Sequence, residues 1–332
     1  MKYCKIIQIY IYLLFLIILS SCSTDFDITG EWKDITVVYG LLNQNDSIQY
    51  IKINKAFLGD DDALIMAQNP DSCNYYNSLE VKLEEWRNGM IVNTFFLDTT
   101  IIHNKKPGDF YYPDQILYKT NAVLNTLSSY KLVITNKNTG KIVSAQTKLI
   151  KPFTIVKPNP IQQINFASVN PIEVKWISAE NAKLYQVIVR FHYIETNINT
   201  NVSTQKYVDW IIGSKVSATV NGGEELSIEY NGEGFFENLA HKLLPDPNIK
   251  RIEGKVEFIF AAAGEDFNTY MELSKPPSTI VQEKPQYTNI TNGIGLFSCR
   301  YDNTKDNPIL LNLTARSSDS LKNGRFTYNL GF

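Results

Sequence analysis

Hydrophobic side chains recur at every second residue over several long stretches, which commits this chain to strands with one buried face. Leu79, Val81 and Leu83 alternate with Glu80, Lys82 and Glu84. Tyr185, Val187, Val189, Phe191 and Tyr193 alternate with Gln186, Arg190 and His192, and Val256, Phe258 and Phe260 with Lys255 and Glu257. A period of two places each apolar set on one face of a sheet. Asn-Gly pairs at 88–89, 221–222, 231–232, 292–293 and 323–324 supply the positive φ that tight turns need. The first lies between the runs Leu79–Trp86 and Met90–Leu97, and so predicts a hairpin. With aromatic residues at 12%, the expectation is a mainly β protein.

Helical spacing is scarce. Phe236, Leu239, Ala240, Leu243 and Leu244 form one stripe that stops at Pro245. Asp266–Ser274 is a second candidate, ended by Pro276-Pro277, and Ala63–Gln68 a third. The stretch from Lys151-Pro152 to Pro160 marks a boundary. The expected layout is an N-terminal β-sandwich-like domain over 31–152, then a middle domain over 153–285, then a C-terminal β segment over 286–332 closed by a hairpin at 323–324. In the middle domain, Trp176 on one strand and Tyr185 on the next resemble a fibronectin type III or immunoglobulin-like sandwich, with short helical insertions. Ile172, Val174 and Trp176 share one parity, so Trp176 is expected in the core.

The N-terminus begins with Lys2 and Lys5, followed by an apolar run of 14 residues, Ile6–Leu19. That is shorter than the roughly 20 residues of a membrane-spanning helix and fits a signal-peptide core. It ends in Leu19-Ser20-Ser21-Cys22, which resembles the lipobox of bacterial lipoproteins. The resemblance implies cleavage of 1–21, lipidation of the Cys22 thiol and an acidic tether over 22–30. Two or more acyl chains would hold the mature protein on a bilayer. Ser23 fits sorting to the outer membrane, and Asp25 and Asp27 resemble a surface-export signal of Bacteroidetes lipoproteins. The periplasmic and cell-surface faces are both compatible with this pattern. Cys73 and Cys299 are then the remaining thiols, either joined as one disulfide or buried separately.

The tail Asn289-Ile290-Thr291-Asn292-Gly293-Ile294-Gly295-Leu296-Phe297 resembles the N-I-x-x-G-x-G-x-F segment of an uncharacterised Bacteroidetes lipoprotein family, domain of unknown function 4249. Val37-Val38-Tyr39-Gly40-Leu41-Leu42 resembles that family's first strand. The resemblance implies a cell-envelope lipoprotein, often associated with TonB-dependent outer-membrane transport, and brings no catalytic residues. Gly293 and Gly295 read either as a turn with close backbone approach, with Phe297 in the core, or as a ligand loop.

Catalytic patterns are missing from the sequence. His103, His192 and His241 stand far apart and in no metal-ligand spacing. There is no G-x-S-x-G elbow and no phosphate-binding loop. Glu84-Glu85, Glu224-Glu225 and Glu265-Asp266 read as strand ends or solvated turns, and Asp60-Asp61-Asp62 as a helix cap, with calcium as the sharper alternative. Asp109-Phe110-Tyr111-Tyr112-Pro113-Asp114 is the most aromatic short stretch, and offers Phe110, Tyr111 and Tyr112 either as stacking surface or as strand residues shared by core and rim. Asp46-Ser47-Ile48, Asp98-Thr99-Thr100 and Asp319-Ser320-Leu321 resemble Bacteroidetes O-glycosylation acceptors. Interspersed charges and a formal net charge of −2 disfavour nucleic acid. The expectation is a non-enzymatic, lipid-anchored accessory of an outer-membrane transporter, without a cofactor. A stand-alone glycan- or peptide-binding lipoprotein is the alternative, and a hydrolase a more distant one.

Overall fold

The computed structural model describes residues 35–56, 63–103, 105–275 and 286–332. The expected signal segment, Cys22, the tether 22–30, Asp60-Asp61-Asp62 and the Pro276-Pro277 stop lie outside the described residues. The first half contributes β1 (Ile35–Leu42), β2 (Gln49–Ala56), the short helices α1 (Ala63–Gln68) and α2 (Pro70–Cys73), β3 (Leu79–Arg87), β4 (Met90–Phe96), β5 (Asp98–Ile102), β6 (Gln115–Thr120), β7 (Ser129–Asn136) and β8 (Ile142–Lys148). Next come β9 (Ile155–Lys157), β10 (Ile172–Ile177), β11 (Leu184–Asn197), β12 (Val202–Val216), β13 (Glu225–Tyr230), α3 (Glu233–Lys242), β14 (Ile249–Ala263) and α4 (Glu265–Ser274). The tail forms β15 (Gly293–Asp302), β16 (Ile309–Leu311) and α5 (Ala315–Asn323). The protein is mainly β, built on a sandwich plan.

One large sheet has the order β12-β11-β14-β15-β1-β2-β6-β5, with β16 also paired to β14. Two smaller sheets, β4-β3-β7-β8 and β13-β10-β9, complete the fold. Inward side chains from all three sheets join one continuous core, including Val38 and Ile53 of the large sheet, Leu83 and Leu132 of the second, and Val174 and Trp176 of the third. Trp176 is fully buried, with its ring 5.5 Å from both Tyr185 and Phe260 of the facing sheet. Each half carries a tyrosine whose hydroxyl accepts a backbone N–H a few residues upstream, at 2.6 Å in both cases: Asn125 to Tyr130 and Ala179 to Tyr185. Burial pushes both phenols up to about 12, so they stay neutral.

The tail strand β15 joins what the sequence divides. It pairs in parallel with β1 over Thr36–Leu42 and antiparallel with the end of β14. Gly293 and Gly295 are strand residues here, not a ligand loop. Gly295 has φ +116°, and a Cβ on it would lie 2.0 Å from the carbonyl oxygen of Val38. A Cβ on Gly293 would meet the Thr36 carbonyl oxygen at 2.7 Å. Only glycine lets the two backbones approach this closely. Phe297, two residues on, is fully buried.

Other expectations need correction. The five Asn-Gly pairs are not five hairpins. Asn88 and Gly89, at φ 51° and 78°, make the predicted turn between β3 and β4. Asn323-Gly324 ends α5, where Gly324 has φ −72°. That helix replaces the expected closing hairpin: Thr314 Oγ1 caps it by accepting from the Ser317 N–H at 3.3 Å, and Leu321 is fully buried. In α3, Phe236 and Leu239 of the expected stripe are buried, as is Leu243 just past its end; Phe235 is buried beside them, and Leu244, beyond the helix, is exposed. Cys73 and Cys299 are separate buried thiols rather than a disulfide, one on α2 and the other on β15.

Glu84 and Glu85 are buried within β3 rather than solvated. Glu85 shares the inward parity of Leu79, Val81 and Leu83, one residue before a register shift against β4. There it accepts from Ser128 Oγ at 2.6 Å, Asn93 Nδ2 at 2.7 Å and Arg87 at 2.9 Å. Burial alone would raise its pKa, but these bonds outweigh burial and hold it below the ordinary glutamate range. The stabilisation from this carboxylate is therefore present above that range and is lost as pH falls through the lowered folded value. In urea titrations at about pH 7 and about pH 3, wild type is expected to lose more stability than Glu85→Gln. Equal losses would contradict this account.

Candidate functional site

The outward face of the large sheet is set by the same alternation that fills the core. On β1, Val38 and Leu42 point inward, which turns Val37, Tyr39 and Leu41 outward. Pairing aligns Val37 with Asn54 and Ile294, and Tyr39 with Lys52 and Leu296. This face is flanked on one side by α4. The ring of Tyr270 meets Tyr39 edge-on at 6.2 Å, and the two hydroxyls share a hydrogen bond at 3.5 Å. That bond, with burial, pushes the Tyr39 phenol up to about 12. The other flank is α2 and the segment 105–115, tied to α1 by the Tyr111 N–H, which donates to the Ala67 carbonyl at 2.8 Å.

Between these flanks lies a cleft of about 500 Å³. Tyr39, Phe110 and Tyr111 line it together with Lys52, Lys55 and Lys105, and Cys73 and Asp114 also border it. A second hollow of about 410 Å³ adjoins it across Tyr39 and reaches Tyr50, Phe267, Tyr270 and Arg300. The two form an aromatic and basic groove across the sheet. Lys105 sits 5.6 Å from the Phe110 ring centre and donates to the Tyr111 carbonyl at 2.6 Å. Burial holds the Lys52 ammonium below the usual lysine range, and nearby Lys105 adds to the effect.

Of the aromatic residues singled out in the sequence, Phe110 and Tyr111 border the cleft, whereas Tyr112 stands outside it and is exposed. The partners they meet were not signalled. Lys52, Lys55 and Tyr39 come from β2 and β1, more than fifty residues earlier than Phe110. The one available signal was parity, since Tyr50, Lys52 and Asn54 alternate with the buried Ile51 and Ile53.

A nucleophilic site has some of its residue types nearby. His103 Nδ1 is 2.5 Å from Asp114, and Cys73 borders the cleft. His103 does not line the cleft, and the Cys73 sulfur donates to the Ala67 carbonyl at 3.9 Å. Burial pushes the Cys73 thiol up against the opposing pull of three lysines, the reverse of what a reactive thiolate needs. His192 pairs with Glu257 at 2.9 Å on another part of the sheet. Among the described residues, no group of three or more His, Cys, Asp or Glu could hold a metal ion. No helix of the described residues is long and apolar enough to cross a membrane.

The chain matches no family model and no curated protein. The site is therefore read from its own chemistry.

Proposed function

We propose that this protein is a lipid-anchored lipoprotein of the outer membrane that works by binding rather than catalysis, as an accessory to TonB-dependent transport. The observation that carries the binding part is the groove across the outer sheet face, lined by aromatic rings and lysines and bordered by a thiol with a raised pKa. The anchor rests on Leu19-Ser20-Ser21-Cys22 and the apolar run before it. The transport setting rests on the resemblance of Asn289–Phe297 to the domain of unknown function 4249 family, and membership of that family is part of this proposal. The fibronectin type III-like reading of the middle sandwich is also part of it, supported by the Trp176–Tyr185 contact. A stand-alone glycan-binding role draws on the same row of rings.

Photo-crosslinking in native envelopes tests the binding reading. p-Benzoylphenylalanine in place of Tyr39 is expected to give a crosslinked product. The same residue in place of Val169, which is 88% exposed and far from the groove-lining residues in sequence, is expected to give none. Equal yields from the two positions, or none from position 39, would contradict it.

A further inference from the structure

Lys52, Lys55 and Lys105 bring three positive charges to one cleft, and the carboxylate bordering it, Asp114, is engaged with His103. Among the described residues, no carboxylate lies within ion-pair distance of any of the three lysines. They nonetheless crowd together: all three act on the Cys73 thiol, and Lys105 acts on Lys52. Like charges in a partly desolvated cleft repel one another, and a fold keeps such an arrangement at a cost unless something of opposite charge enters. Lys105 spends one N–H on the Tyr111 carbonyl, which fixes the side chain and leaves two donors. Aromatic rings stand beside these lysines, Tyr39 as the cross-strand neighbour of Lys52, and Phe110 and Tyr111 on the segment of Lys105, and they suit the face of a ring. The volume of about 500 Å³ lies within the range of small-molecule sites and is too small for a folded partner.

We infer that this cleft binds a small organic anion of about disaccharide size, with its negative group among Lys52, Lys55 and Lys105 and its ring against Tyr39 and Tyr111. The inference rests on the binding reading above and names the ligand class of the same site. An acidic sugar and an aromatic acid share this chemistry, because each joins a ring to a carboxylate or phenolate.

Isothermal titration of the detergent-solubilised full-length protein distinguishes the two sources. The probes are digalacturonate, 2,3-dihydroxybenzoate and the neutral disaccharide cellobiose. At least one acidic probe is expected to bind about tenfold or more tightly than cellobiose. Preference for digalacturonate assigns an acidic sugar, and preference for dihydroxybenzoate an aromatic acid. Lys52→Met and Lys105→Met, each verified by an unchanged melting midpoint, are expected to weaken that binding about tenfold. Lys137→Met, in an exposed turn, is expected to leave it unaltered. Cellobiose binding as tightly as the acids, acid binding indifferent to the two cleft lysines, or no binding of either acid would overturn the inference. If crosslinking from position 39 persists alongside such a result, the groove still binds a partner and only its anionic chemistry is lost. If both fail, the binding reading itself goes.

Discussion

Trp176→Ala is expected to destabilise the protein by about 3–5 kcal/mol, through lost transfer energy and an unfilled cavity. The indole is fully buried between the sheets, against Tyr185 and Phe260. Its Nε1 finds no hydrogen-bond partner among the described residues, so its contribution is packing alone. Trp176→Phe should therefore recover much of the loss, because it refills part of the volume and removes an unpaired donor. Total stabilities of about 5–15 kcal/mol leave little margin for the alanine variant. Its melting midpoint should fall sharply, or it should fail to fold. A midpoint within error of wild type would mean that the sheets do not meet at this residue.

Arg251→Ala is expected to cost a comparable amount, about 3–5 kcal/mol, for a different reason. The Arg251 side chain is 5% exposed and pairs with Glu195 at 3.0 Å. It also donates to the carbonyls of Leu330 and, at 3.3 Å, Leu244, so that one guanidinium ties the chain end and the segment after α3 to β14. Phe332 then rests against Phe191 and Tyr193, at ring distances of 5.7 and 5.9 Å. Burial would raise the pKa of Glu195, but the bonds from Lys206 and Arg251 hold it below the ordinary range. Removing Arg251 leaves that carboxylate with Lys206 alone and strands two carbonyls. Adding Glu195→Gln to Arg251→Ala should restore part of the loss, and a double-mutant cycle in urea measures the coupling. Additive effects of the two substitutions would refute the pairing.

Much of the strand architecture was legible because burial follows parity. Ile172, Val174 and Trp176, set against Tyr185, Val187 and Val189, placed Trp176 in the core from spacing alone. Gly293 and Gly295 were legible as sites of close approach, but not their partner: β1 lies some 250 residues earlier. Glu85 shares the parity of Leu83, but it was misread because a buried carboxylate needs partners, and one of them, Ser128, is distant in sequence. The helix α5 was missed because its buried contacts reduce to Ser317 and Leu321, too few to mark a stripe. The cleft was half legible. Phe110 and Tyr111 stood out as a cluster, whereas Lys52 resembles any outward lysine on a strand, and Lys55, near the strand's end, carries no signal until the fold brings it to the same cleft.

The lipid anchor is the premise on which the proposed function depends, and the intact mass of the mature protein extracted from membranes tests it most directly. The account predicts a chain that begins at Cys22, carrying at least two acyl chains on that residue. A chain that retains residues 1–21, or one that begins elsewhere without lipid, would contradict it.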